Sequence, residues 1–364
     1  MAKFFIIALT VTIAMQGYIT WHVWRLLPAP VWVKTIVAFL MLAALACMVM
    51  QFILRDKLSM PMATAMYEIG NSWIIIALYL LIVFLVLDIC QLVRLVPSTW
   101  LKANAVTSIA LTCIMLATLI GGNIHYHHKA RRDIQLTTKK SLNKPLRIVM
   151  LSDLHAGFHN RRSEIKKWVK LINAENPDLV LIAGDLIDSN VRPLIEQGTA
   201  EEFRQIKAPV YACMGNHEYI AGLRNSQEWL AQTGITLLRD KAISTQGVTI
   251  VGRDDRSNRH RKSVKALTQG VDKTHYVIML DHQPFNLEQA EQAGVDLELC
   301  GHTHRGQIWP LCLITKAMYE CNYGQYRKGE TDYYISSGIG LWGGKFRIGT
   351  SSEYAVITVT GKNQ

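Results

Sequence analysis

The sequence predicts an all-α membrane region of four helices followed by an α/β domain with helices covering the faces of sheets. Three observations predict it. Residues 1–122 hold seven Lys/Arg and three Asp/Glu, whereas residues 123–364 hold 32 and 25. Four stretches of the first region each run for about 20 nearly uninterrupted apolar residues, enough to cross a bilayer as a helix. In the second region short apolar runs alternate with stretches of helical periodicity. A length of 364 residues suits about two domains. With 50% hydrophobic and 18% charged residues, disorder, collagen and coiled coil are excluded, and seven Cys are too few for a disulfide scaffold.

The expected spans are residues 4–24, 31–54, 73–93 and 103–122, separated by polar or Pro-bearing breaks at 25–30, 55–61 and 94–102. Lys3 and the run after it resemble a signal peptide. The run continues through Tyr18, Trp21 and Trp24, so it reads as an uncleaved anchor. Trp21, Trp24, Trp32 and Trp100 fall near span ends, where amphipathic rings favour the interface. Lys3, Arg55, Lys57, Lys129, Arg131 and Arg132 lie on one side, and Arg25, Lys34, Arg94 and Lys102 on the other. The positive-inside rule then places the C-terminal domain in the cytoplasm, at an inner membrane of bacterial type. Glu68 precedes the third span and Asp88 lies within it; Asp88 is expected to be wetted at the span end or paired with Arg94.

Residues 123–145 read as a basic juxtamembrane linker without apolar periodicity, its cations suited to anionic headgroups. His125, His127 and His128 have no thiolate or carboxylate beside them and read as a solvated tract.

The α/β domain is expected over 146–361. LRIVML at 146–151 is a buried strand, and Ile165, Trp168, Val169 and Ile172 mark a helix over 164–173. Strands follow at LVLIAGD, PVYACMGNHE, 247–252, YVIMLDHQP, DLELCGHTH, TDYYISSG and EYAVITV, with helices over 201–206, 227–232 and 287–293. Five apolar runs end at once on metal-binding residue types: Asp153 and His155; Asp185; Asn216 and His217; His282; His302 and His304. Ligands in open α/β sheets bind beyond the carboxyl ends of strands, so parallel strands gather these groups on one rim. Each fragment alone is weak. Together, so many His and Asp at one rim carry a desolvation cost that a cation offsets. Imidazole with carboxylate suits two divalent ions, Mn, Fe, Zn or Ni, and Asp185 is the natural shared ligand.

SDLH at 152–155, GDLID at 184–188, GNHE at 215–218, DH at 281–282 and GHTH at 301–304 resemble the signature of calcineurin-like metallophosphoesterases. GHTHRGQIWP and SSGIGLWGGKFRIG are similar to the YkuE-like branch, which includes enzymes acting on UDP-2,3-diacylglucosamine. The resemblance implies a sandwich of two mixed β-sheets with helices outside. It implies that Asp153, His155 and His304 hold one metal, that Asn216, His282 and His302 hold the other, and that Asp185 bridges them. His217 would contact the phosphate and protonate the leaving group. The implied reaction is hydrolysis of a phosphodiester or pyrophosphate, with a nuclease, a phosphoprotein phosphatase or a membrane sensor as alternatives.

The substrate is less marked. Arg253, Arg256, Arg259, Arg261 and Lys262 form a basic stretch that reads equally as an arm for a substrate phosphate or as a solvated loop. Trp309, Tyr319, Tyr323, Tyr326 and Trp342 fit either a lipid or nucleoside entrance or core packing. The expected partners are a phosphorylated small-molecule or lipid substrate and membrane lipids. Nucleic acid is disfavoured, since no basic–aromatic array is present, and the oligomeric state is not encoded legibly.

Overall fold

The computed structural model describes residues 2–361. The chain divides into two compact units, Met1–Gly122 with Gly343–Lys345, and Asn123–Trp342 with Phe346–Gln364.

The first unit contains helices α1 (Ala2–Leu26), α2 (Val31–Leu54) and α3 (Met60–Leu92), and most of α4 (Ala105–His127). Among the described residues three helices, α2, α3 and α4, are long and apolar enough to cross a membrane. The first expected span falls in α1; its side chains up to residue 9 lie outside the described residues. α3 begins at Met60 rather than near Trp73, because Pro61 fits a helix's first turn, where no N–H is required. Glu68 is therefore inside the helix. Asp88 does not pair with Arg94. Its carboxylate accepts from the Tyr18 hydroxyl at 2.6 Å and lies 3.0 Å from His22 Nε2, so α1 and α3 share a polar contact in an apolar setting.

The second unit is built on twelve strands: β1 (Lys129–Thr138), β2 (Leu146–Leu151), β3 (Leu179–Ala183), β4 (Val210–Cys213), β5 (Thr236–Leu237), β6 (Lys241–Thr245), β7 (Val248–Gly252), β8 (Tyr276–Leu280), β9 (Leu297–Cys300), β10 (Gly324–Lys328), β11 (Thr331–Ile335) and β12 (Ser352–Gly361). They form two six-stranded sheets, ordered β1-β12-β2-β3-β4-β5 and β10-β11-β9-β8-β7-β6. β2, β3 and β4 run parallel in the first sheet, and β7, β8 and β9 in the second. Antiparallel β12, β10 and β6 make both sheets mixed.

LVLIA of β3 shows why the central strands read as unbroken apolar runs. Leu179, Leu181 and Ala183 enter the core shared with the other sheet, alongside Ile278, Leu280, Leu297 and Leu299. Val180 and Ile182 face the opposite way, towards Ile165, Trp168, Val169 and Ile172 of helix Arg162–Ala174. Both faces are covered, so polar alternation is absent.

Residues 129–138, expected within a structureless connector, instead form edge strand β1, ten residues parallel to β12. Only Ile134 and Leu136 of the strand are buried, alternating with exposed residues. Two apolar positions are too short a pattern to stand out from a basic tract. Helix Leu311–Met318, and strand β10, which pairs with the expected strand β11, lie where only aromatic residues had drawn notice.

Candidate metal centre

Every motif residue follows the carboxyl end of a parallel strand: Asp153 and His155 after β2, Asp185 after β3, Asn216 and His217 after β4, His282 after β8, and His302 and His304 after β9. Cross-links draw the two sheets' ends together. The His302 N–H donates to both Asp153 carboxylate oxygens at 3.0 and 3.1 Å. The His217 N–H donates to Asp185 Oδ1 at 2.9 Å, and His282 Nδ1 lies 2.7 Å from the Ala183 carbonyl.

The turns that hold these residues are tight. Asp153, His155, Asp185, His302 and His304 all adopt left-handed backbone, with φ of 53°, 44°, 53°, 69° and 48°. Each such non-glycine residue costs on the order of 1–3 kcal/mol and persists only where its surroundings fix it. Two glycines owe their place to close approach. A Cβ at Gly301 would sit 2.7 Å from Ser152 Cβ and nearer still to the Asp153 carboxylate, and one at Gly215 would strike Asp185. GH and GN in the motifs therefore record where one ligand loop presses on another.

Three groups of side chains each bring their ligand atoms within 4.8 Å of one another: Asp153, His155 and His304; His155, Asp185 and His217; and Asp185, His282 and His302. His155 Nε2 lies 3.0 Å from His304 Nε2 and 3.7 Å from Asp185 Oδ2. His304 Nε2 lies 3.3 Å from Asp153 Oδ1. His282 is the most telling. Its Nδ1 faces a carbonyl, which can only accept, so Nδ1 carries the proton. Its Nε2 stands 3.1 Å from Asp185 Oδ2: in the protonated ring it donates to that carboxylate, and in the neutral ring its lone pair faces a second acceptor. Two acceptors at that separation require a proton or a metal cation between them. The buried oxygen of Asn216, Oδ1, is without a partner. A carbonyl holding the remote nitrogen of an imidazole is the usual support for a metal-bound ring.

The electrostatics follow the same division. Burial pushes the Asp185 carboxyl up, but the neighbouring His282 and His217 outweigh it and hold Asp185 well below the usual range. Burial pulls His282 down, and Asp185 and Asp153 more than reverse it. Burial raises Asp153, assisted by the Asp185 charge. Burial and His282 lower His302 to about 4, while burial and His155 hold His304 well below its ordinary value. Those two rings are neutral at pH 7, with lone pairs available to a cation. His217 is raised: burial opposes its charge, but Asp185 and Asp188 prevail. Its Nδ1 lies 2.6 Å from the Asp188 carbonyl, leaving Nε2 to face outward chemistry.

Several supporting residues were not singled out from the sequence. Glu218, fully buried, accepts from the N–H groups of Gly215 at 2.7 Å, Ile187 at 2.9 Å and Asp185 at 3.2 Å, clamping two ligand loops together. GNHE contained the signal, since Glu at the third helical position is the reciprocal half of a capping box. Asp188 has a carboxylate oxygen 3.6 Å from His155 Nδ1 and 3.8 Å from His217 Nδ1. Arg347, 1% exposed, reaches the carbonyls of His304 at 3.0 Å, Ser337 at 2.6 Å and Gly340 at 2.8 Å. The basic stretch resolves into two kinds of residue. Arg253 and Arg261 grip Asp281 at 3.0 and 3.1 Å, beside His282, whereas Arg256 is exposed and lies over the Phe285 ring.

Residues 146–306 match the family described as calcineurin-like phosphoesterase. The chain carries a calcineurin-like metallophosphoesterase domain. An uncharacterized metallophosphoesterase of Campylobacter jejuni is 32% identical over 229 residues, covering 61% of this chain and 61% of its own. A Danio rerio protein named transmembrane protein with metallophosphoesterase domain is 33% identical over 249 residues, 62% of this chain and 56% of its own. An uncharacterized metallophosphoesterase of Aquifex aeolicus is 27% identical over 262 residues, 68% of this chain and 99% of its own. The chain thus spans about three fifths of the length of the Campylobacter and Danio proteins.

Proposed function

We propose that the protein is a membrane-anchored, metal-dependent phosphoesterase that hydrolyses a phosphodiester or pyrophosphate bond at a dinuclear centre. The observation that carries this reading is the buried pairing of His282 Nε2 with the Asp185 carboxylate at 3.1 Å, with Nδ1 held by the Ala183 carbonyl, among five further ligand-type side chains, Asp153, His155, His217, His302 and His304. Asp153, His155 and His304 would hold one ion, Asn216, His282 and His302 the second, and Asp185 both. Asp185 suits the shared position because its Oδ2 lies 3.7 Å from His155 Nε2 of one set and 3.1 Å from His282 Nε2 of the other. The ions would supply Lewis acidity to the phosphoryl oxygens and a nucleophilic water at neutral pH.

The remaining work falls to the chain's own groups. His217, oriented through Nδ1 by the Asp188 carbonyl and favoured in its protonated form, would donate a proton from Nε2 to the departing oxygen. Asp188 and Glu218 hold the rings and loops in register. Arg256, exposed over the Phe285 ring that packs against Tyr319, would be the cation to meet a second phosphate.

Membrane anchoring favours a lipid-linked or UDP-sugar-type substrate, since it confines enzyme and substrate to one surface, and Lys/Arg counts favour a cytoplasmic catalytic domain at an inner membrane. A panel with added Mn tests the reading: an aryl phosphodiester, UDP-diacylglucosamine, other lipid phosphates and single-stranded DNA. Turnover of the aryl ester and of a lipid or UDP substrate is expected. Turnover of DNA alone would replace this reading with a nuclease.

A further inference from the structure

Between residues 129 and 361 seven large apolar side chains are exposed, and five of them are Trp309, Leu313, Ile314, Met318 and Trp342. They come from one helix and the two loops at its side. Helix Leu311–Met318 buries none of its side chains. Trp309 precedes it, and Trp342 is tied to the same loop through Gln307 Nε2, which donates to the Trp342 carbonyl at 3.0 Å. Scattered exposed apolar residues are ordinary, but a contiguous group on an otherwise polar domain marks an interaction surface.

Three features indicate the occupant. Residues 305–319 contain Arg305 and Lys316 and no Asp or Glu, so the apolar helix carries a positive rim. Trp309 just before its start, and Trp342 tied to the same loop, supply tryptophan, the side chain best suited to a membrane's headgroup layer. One residue, His128, separates α4, which is long and apolar enough to cross a membrane, from β1 of the catalytic unit. A tether so short raises the effective concentration of bilayer at the domain, so that an eight-residue helix suffices where a free peptide would not.

The helix also belongs to the site's margin. It starts a few residues after His304, and Tyr319, just past its end, has its ring 6.4 Å from that of His302 and 4.8 Å from that of Phe285. We propose that helix Leu311–Met318, with Trp309 and Trp342, rests in the headgroup layer of an anionic bilayer and presents the metal centre to phosphates at the lipid surface. The surface contact stands on the exposed patch alone; its use in catalysis rests on the phosphoesterase reading.

Quenching in proteoliposomes tests it with the full chain. The emission lost on W309F/W342F substitution isolates these two rings. In vesicles of phosphatidylcholine and phosphatidylglycerol, that share should be quenched by lipids brominated near the headgroup and spared by aqueous iodide. Quenching by iodide and not by bromolipid would overturn the proposal, as would quenching by neither, which would mean that protein, such as a second copy, covers the patch. L313S/I314S/M318S should lose the bromolipid quenching while hydrolysing a soluble aryl phosphodiester as before. A wild-type chain inert towards that ester would refute the phosphoesterase reading and leave the quenching result to stand or fall separately.

Discussion

At the scale of single residues, the centre depends on which atom of each ring carries a proton. His217 contributes chemistry rather than affinity on this account. His217→Ala is expected to keep its metal, by elemental analysis, while turnover falls about 10²–10⁴-fold; a variant that loses metal would make His217 a ligand. Arg347 acts by holding. Its guanidinium meets carbonyls from the His304 turn and the 337–340 loop, whose Gly340 N–H donates to the Asp153 carbonyl at 3.1 Å. Arg347→Met leaves those buried acceptors unpaired and should cost about 3 kcal/mol or more. A thermal melt measures it, and metal affinity should fall with it. The eight motif residues were legible because each follows an apolar run. Glu218 was announced only by its capping-box spacing, and Asp188 and Arg347 were not legible, because a residue that bonds to backbone or sits beside another residue's ring has no spacing rule of its own.

At the scale of elements, the central strands were readable because burial on both faces leaves long apolar runs. The edges were harder. β1 offers only Ile134 and Leu136 to the core and is otherwise polar, as an edge strand must be. It is nonetheless part of the sheet, bonded along its whole length to β12. Ile134→Ala should destabilise the second unit by about 2–4 kcal/mol, seen as a lower melting temperature. A domain begun at residue 146 should melt lower still than one begun at residue 123; equal stability would show that β1 is an appendage. The glycine before each ligand is an element-scale device too. Gly301→Ala forces the β9 turn away from Asp153, and should reduce both metal content and melting temperature, with loss of metal the larger effect.

At the scale of the whole molecule, the charge-poor stretch of the sequence stops near residue 122, where the main segment of the first compact unit, Met1–Gly122 with Gly343–Lys345, also ends; a hydrocarbon environment excludes charge more strictly than any soluble core does. The sequence also foretold that scattered residues would share one rim, since parallel strands carry their carboxyl ends to the same side. It left open whether Trp309, Tyr319, Tyr323, Tyr326 and Trp342 pack in the core or frame an entrance: the two tryptophans are exposed and the three tyrosines half-buried. The most direct test of the central claim is hydrolysis of an aryl phosphodiester by the intact chain, stripped with chelator and then titrated with Mn, alongside Asp185→Asn. The account predicts no turnover after stripping, recovery at two ions per chain, and no recovery in the variant. Undiminished turnover by the stripped protein, or full recovery in Asp185→Asn, would contradict it.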